Sequence, residues 1–321
     1  MRTYVIRRVL QMIPTFLFII VLVFFLNRAA PGGPVAGMMN PKMTAQDKAR
    51  IERAMGLDQP VYTQFFNWVG EVAHGNLGYS TKYAKPVTSV IGSFIWNSFI
   101  LALFSLILSL LIGIPAGIIS ATKQHSWIDN FLTVFSLIGI SMPSFFFGLL
   151  LLKYFSIDNR WFPLFGMQNQ ALRSASFFVQ FGDILYHMIL PGIVLGLGSI
   201  ASFMRYTRSA MLEVIRQDYI RTARSKGLKE RIVIYRHALR NAIIPIITLL
   251  GFWIPALFSG AVITESVFGW PGIGKVSVEA VNARDYGLLM AITMLGCFLL
   301  LLGMLLSDIF YGIADPRIKY E

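Results

Sequence analysis

The stretch from Trp96 to Ala121 reads WNSFILALFSLILSLLIGIPAGIISA and contains no ionisable side chain. A helix needs roughly 20 apolar residues to cross about 30 Å of hydrocarbon, so this run predicts a membrane span. Working outward, five more runs of the same kind lie at about 9–28, 131–156, 187–205, 242–263 and 287–310. The expectation is an all-α polytopic bundle of six transmembrane helices, with residues 1–321 forming one domain. Composition agrees: 55% of residues are hydrophobic, 14% are charged and the mean hydropathy is +0.63, which excludes an ordinary soluble domain. Pro14, Pro115, Pro143, Pro191, Pro245 and Pro255 fall in or beside these runs, where neighbouring helices can satisfy the freed carbonyls.

The formal net charge of +12 does not point to nucleic acid, because the charges cluster between the apolar runs. An even number of spans puts both termini on one side. That side carries 16 basic and 7 acidic residues against 11 and 9 on the other. Cytoplasmic loops hold the basic excess, so both termini are expected in the cytoplasm and the chain in a cell (inner or plasma) membrane. Its N-terminus, with Arg2, Arg7 and Arg8 before an apolar stretch, resembles a signal peptide. The stretch is too long for one, and a retained first helix is expected.

The loop at 29–95 is long enough for structure of its own. Thr44-Ala45-Gln46-Asp47 has the form of a capping box, opening a helix that Gly56 can close. Phe65, Phe66 and Trp68 are candidate interfacial anchors. In the loop at 264–286, the cluster from Glu265 to Gly274 reads either as a segment re-entering the membrane or as a turn anchored at the interface by Trp270.

The loop at 206–241 is the most basic part of the chain. From Arg205 to Arg240 ten basic residues stand against Glu213, Asp218 and Glu230. Asp218 suits a helix start, Gly227 a left-handed helix end, and Ile232, Tyr235 and Leu239 then recur at helical spacing. A short cationic helix with small residues at Thr222 and Ala223 has the shape of a plug for a cytosolic partner. The alternative is that its arginines only obey the positive-inside rule and meet lipid headgroups.

Arg221-Thr222-Ala223, three residues, then Gly227 resembles the cytoplasmic signature loop of bacterial ATP-binding-cassette import permeases, usually opened by Glu-Ala-Ala. The departures at the first two positions resemble the dipeptide and oligopeptide branch, as do Tyr4 to Arg8, Gly75 to Ser80, Ser141 to Phe145, Glu265 to Gly274, Ala283 to Tyr286 and Asp315-Pro316-Arg317. The resemblance implies the transmembrane domain of a type I importer, moving peptides through a path shared with a second homologous permease. It also implies two cytosolic ATPase subunits, which use ATP and Mg, and an extracytoplasmic solute-binding protein. Arg221, Thr222, Ala223 and Gly227 would form the coupling helix that docks on an ATPase. Nickel and glutathione are alternative cargoes within the same family.

No cofactor is expected on this chain. Gly272-Ile273-Gly274-Lys275 lacks the spacing and the Ser or Thr of a phosphate loop, and no catalytic residue is assigned. His74, His125, His187, His237 and the single Cys297 are scattered without the spacing of a metal site. Lys153 is the one charge inside an apolar run; it either snorkels to the interface or lines the path and meets a peptide carboxylate. Ser141, Pro143, Ser144, Gly251 and Pro255 are candidate gate elements because they weaken a helix. Gly192, Gly196 and Gly198 predict close helix packing in lipid. A stand-alone secondary transporter would need more ionisable residues at mid-membrane than Lys153 supplies.

Overall fold

The computed structural model describes residues 2–29, 44–54, 56–243, 246, 247, 250 and 253–314. Four of the expected spans are single helices long and apolar enough to cross a membrane: α1 (Arg2–Ala29), α4 (Val87–Thr122), α7 (Phe177–Ile215) and α14 (Tyr286–Ala314). Pro14, Pro115 and Pro191 sit inside α1, α4 and α7 without ending them.

The other two are built differently. The third run divides into α5 (Trp127–Ser141) and α6 (Ser144–Leu151), which continues as a π-helical turn to Asp158, with a bend of 104° between the two pieces. Pro143 precedes α6, and with no N–H to give it cannot continue the ladder of α5. The fifth run is a series of short pieces in the described residues. α8 (Asp218–Ser225), α9 (Glu230–Ile232), a π-helical turn (Val233–Ala238) and α10 (Leu239–Ala242) lead toward it, and α11 (Trp253–Ser259) and α12 (Val262–Val267) follow. α13 (Ile273–Ala283) then leads into α14.

α4 and α7 are the backbone of the bundle. Their seam is made by glycine pairs four residues apart, which allow the axes to close up where no aqueous hydrophobic drive assists. A Cβ at Gly117 would lie 2.6 Å from the Met204 carbonyl oxygen and from Thr207 Cβ, and one at Gly192 would strike the Phe104 ring at 2.5 Å. Gly113 and Gly196 are nearly as confined, whereas Gly198 faces open space and takes no part.

One end of the bundle is closed by the loop elements and the other by α8. At the first end, Val87 and Val90 of α4 pack with Ile273, Val276 and Ala280 of α13 and Leu288 of α14. At the other, Ile118 and Ala121 of α4 pack with Met211 of α7 and with α8. α4 and α14 therefore run parallel, and the Arg8–Asp308 ion pair (2.7 Å) ties the start of α1 to the later part of α14 at the α8 end.

The loop at 29–95 does carry structure. α2 (Ala45–Ala54) opens with the expected box: the Thr44 hydroxyl donates to Asp47 Oδ2 (2.7 Å) and the Asp47 N–H donates back to it (3.2 Å). The Thr44 hydroxyl and, second, the Thr44 N–H (3.2 Å), both donating to its carboxylate, hold Asp47 below its ordinary range. Gly56 follows with φ +66°. α3 (Val61–Ala73) turns Phe65 and Trp68 onto Phe24 of α1, with ring centroids 5.3 and 5.6 Å away, so these two rings fasten a loop helix to a span, and only Phe66 stays largely exposed. A two-residue hairpin, β1 (Tyr79–Ser80) and β2 (Lys85–Pro86), pairs Tyr79 with Pro86 and Ser80 with Lys85.

Candidate coupling site and its supports

α8 is eight residues long and lies directly after α7, separated from it by Arg216 and Gln217. Its sequence alternates what it buries and what it shows. Ile220 and Ala223, three apart on one face, are buried against Ile118, Met211, Val233 and Ala238. Arg221 and Thr222 face outward; Arg221 reaches back to Asp218 at 3.7 Å, both side chains being well exposed. A residue only 6% exposed cannot also form the outer surface of a plug, so Ala223 attaches the helix to its own chain and leaves the outer face to Arg221 and Thr222.

The helix ends as its glycine predicts. Gly227 has φ +72°, and its N–H donates to the Arg224 carbonyl (2.9 Å). Across this turn the Arg224 guanidinium grips Glu230 with two bonds, 2.7 and 3.2 Å. Hydrogen bonding to Arg224 holds the Glu230 carboxyl below its usual range and raises Arg224. The turn from α8 into α9 is therefore closed from both sides.

A second support was not anticipated from the sequence. Asp129, in the first turn of α5, is 2% exposed and accepts two bonds from Arg208 of α7, Nε at 2.8 Å and Nη2 at 2.9 Å. Ser120 of α4 donates to the same carboxylate, as does the His125 N–H (3.0 Å). One carboxylate thus joins α4, α5 and α7 two turns before α7 hands over to α8. Its partners are 9 and 79 residues away in sequence, and Asp129 stands just outside the apolar run it governs.

At the opposite end the cluster from Glu265 to Gly274 is largely buried within the protein. Trp270 is fully buried with Leu101 and Met188, and its indole N–H donates to the Asn97 carbonyl (2.9 Å). Glu265, also fully buried, accepts from the Ser98 hydroxyl (2.7 Å) and from the N–H groups of Ala261 (3.0 Å) and Lys275 (2.9 Å). Gly272 and Gly274 pack directly on that carboxylate, where a Cβ would come within 2.4 and 2.9 Å of it. Asp285 repeats the design one element later, taking bonds from the Ser80 hydroxyl (2.5 Å) and the Lys82 N–H (3.1 Å). Beside it the Tyr83 hydroxyl donates to Glu279 (2.9 Å); burial first, then that carboxylate, pushes the phenol above its ordinary range.

The candidate gate residues are distributed. Ser141, Pro143 and Ser144 bracket the 104° bend, and Met142 between them lines an entirely apolar 310 Å³ cavity with Ile138, Gly139 and Leu197. Lys153 is exposed and ion-paired to Asp158 at 2.7 Å. Pro255 is buried against Gly303 of α14. Gly251, Pro245 and the Asp315-Pro316-Arg317 segment lie outside the described residues. Among the described residues no cluster of three or more His, Cys, Asp or Glu could hold a metal ion.

Residues 113–320, which include the end of α4, the bent pair, α7 and α8, match the family described as binding-protein-dependent transport system inner membrane component, and residues 1–106 match that family's N-terminal region. The chain belongs to this family. Among curated relatives, the oligopeptide transport system permease protein AppB of Bacillus subtilis is 42% identical over the full length of both chains. The dipeptide transport system permease protein DppB of Alkalihalophilus pseudofirmus is 36% identical, and the glutathione transport system permease protein GsiC of Escherichia coli 35%, again over the whole of each chain. Among solved structures, a chain of the methionine ABC transporter MetNI in an inward-facing conformation shares the fold, with a TM-score of 0.55 and 14% identity over 71% of this chain and 97% of that one. This family member is a multi-pass membrane permease component of an ATP-binding-cassette importer.

Proposed function

We propose that this permease forms half of the transmembrane path of a peptide importer, together with a second homologous permease, two cytosolic ATPase subunits and an extracytoplasmic solute-binding protein. The observation that carries the reading is the division of α8 into a buried face (Ile220, Ala223) and an exposed face (Arg221, Thr222) at the end of an unbroken 39-residue helix. A docked ATPase pressing on that exposed face moves α8 and α7 together, because Ile220 of α8 is packed in one cluster with Met211 of α7. The spans then rock as rigid bodies, the switch on which alternating access depends. The bend at Ser141-Met142-Pro143 gives this movement a place where helix hydrogen bonds are already missing. ATP and Mg are used by the partner subunits, this chain itself is non-catalytic, and both termini lie in the cytoplasm with α8.

Short peptides are the cargo favoured by the similarity to AppB and DppB, an oligopeptide and a dipeptide transport system permease protein. Glutathione is the second reading, resting on the full-length similarity to GsiC. The test is uptake of labelled alanyl-alanine and of glutathione into vesicles holding the complete complex, with ATP hydrolysis measured in parallel. The double variant Arg221→Glu, Thr222→Glu should lower uptake and substrate-stimulated hydrolysis together by about tenfold or more, a loss equivalent to one bidentate charged contact. Wild-type uptake in that variant would sink the docking reading, and uptake at full rate without ATP would make this a secondary transporter.

A further inference from the structure

At the end of the bundle opposite α8, the last turns of α1, the inner face of α3, the hairpin and the start of α14 enclose a 530 Å³ cavity. Its walls are mixed. Phe24, Trp68, Leu77 and Met290 are apolar, whereas Arg28, Asn67, Glu71 and Asn76 bring charge and amides to the rim. Most of the polar groups are already engaged: Gln64 donates to the Leu57 and Gln59 carbonyls, Asn76 to Glu71, and Asp285 is bonded to the hairpin. Arg28 is not. Among the described side chains its bond is a long 3.5 Å contact to the Leu57 carbonyl, and no carboxylate of theirs pairs with it. Thr81, on the same wall, has a buried hydroxyl with no hydrogen-bond partner among the described residues.

Directly along α14 lies a second space of 430 Å³ that is apolar almost throughout, walled by Phe16, Ile91, Ile95, Met294, Leu295 and Phe298. Leu77 lines both. On α14 the walls pass from Met290 to Phe298 and on α1 from Phe24 back to Phe16, eight residues each way, or about 12 Å of descent along the helices. A chamber with Arg28 and Glu71 at its rim thus adjoins, at Leu77, an apolar slot running along the spans.

We infer that this chamber and slot bind one phospholipid, with the phosphodiester on Arg28, a cationic or hydroxylic headgroup toward Glu71, and an acyl chain in the slot. A guanidinium that meets no carboxylate among the described side chains matches a phosphate oxygen pair, and the slot offers an acyl chain an apolar wall. Rim groups of both signs favour a zwitterionic headgroup. The assignment does not depend on which solute is carried.

The test is native mass spectrometry of the full-length protein in detergent, supplied with dioleoyl or dihexanoyl phosphatidylethanolamine. Arg28→Gln should lower retention of both lipids about tenfold, and Arg28→Lys should recover most of it. Gly92 also lines the slot and has open space around its Cα, so Gly92→Leu fills the slot without a clash inside the protein. That variant should lose the dioleoyl lipid and keep the dihexanoyl one. Wild-type retention in both Arg28→Gln and Gly92→Leu would reduce the bound molecules to annular lipid and overturn the assignment. So would displacement of the dioleoyl lipid by millimolar alanyl-alanine, which would give the chamber to a soluble zwitterion instead.

Discussion

The two ends of this bundle are both held by buried carboxylates, but the carboxylates have different company. At the hairpin end, Glu265 and Asp285 take backbone N–H groups and hydroxyls, so each fixes a turn of chain in place. At the α8 end, Asp129 adds to a hydroxyl and one backbone N–H a bidentate guanidinium from another helix, so it joins rods side by side. Loss of the first kind leaves several backbone donors without acceptors and a loop without a template. Loss of the second leaves the Ser120 hydroxyl and one N–H without their acceptor, but its main partner can partly reach water, since Arg208 keeps 28% of its surface exposed. The first arrangement suits a frame that stays put, and the second suits a joint whose members shift against each other.

The contrast can be broken most directly at Glu265. Glu265→Ala strands the Ser98 hydroxyl and two N–H groups in the interior, which costs on the order of 3–6 kcal/mol. It should abolish recovery of folded protein from the membrane, as read by size-exclusion yield. A wild-type melting profile for that variant would mean the frame is held by apolar packing alone. Asp129→Ala comes next, at roughly 2–3 kcal/mol because Arg208 can relax outward. In the complete transporter it should uncouple hydrolysis from uptake more than it lowers the melting midpoint; an equal loss of both would make Asp129 part of the frame.

Gly227→Ala should cost about 1 kcal/mol, since the site has room for a methyl group but a left-handed backbone. The same change at Gly198, where nothing crowds and φ is ordinary, should be neutral or stabilising in the same melt. The smallest effect belongs to Glu230→Gln, below about 0.5 kcal/mol because Arg224 and Glu230 are both substantially exposed. Its sign follows from the lowered Glu230 carboxyl. The pair's contribution is present above the ordinary glutamate value of 4.5 and fades as pH falls through the lowered one, so wild type and variant should converge in acid.

Features that depend on neighbours in sequence were legible before any coordinates. The Thr44–Asp47 box, the positive φ at Gly56 and Gly227, and the start of α8 at Asp218 follow from local backbone chemistry. The long apolar helices follow from bilayer thickness, and Pro143 marked where the third run weakens, although nothing in the sequence sets the angle at 104°. What stayed hidden was tertiary pairing. Trp270 carries the same signal whether it meets lipid headgroups or, as found, a sealed pocket of Leu101 and Met188. Glu265 and Asp129 looked like ordinary loop charges because their partners come from other helices. Ala223 looked like part of an outer face because small residues suit either side of a helix, and only the positions of Ile118 and Met211 show which side is inward.

At 39 residues, α7 is about 58 Å long, nearly twice the hydrocarbon thickness. An unbroken rod of that length acts as a lever arm. Pivoting through only 5° about one end sweeps the other through roughly 5 Å, about the width of an extended peptide backbone. Displacements too small to disturb the packing around α8 are therefore large enough, at the far tip beside Phe177, to open or close a passage.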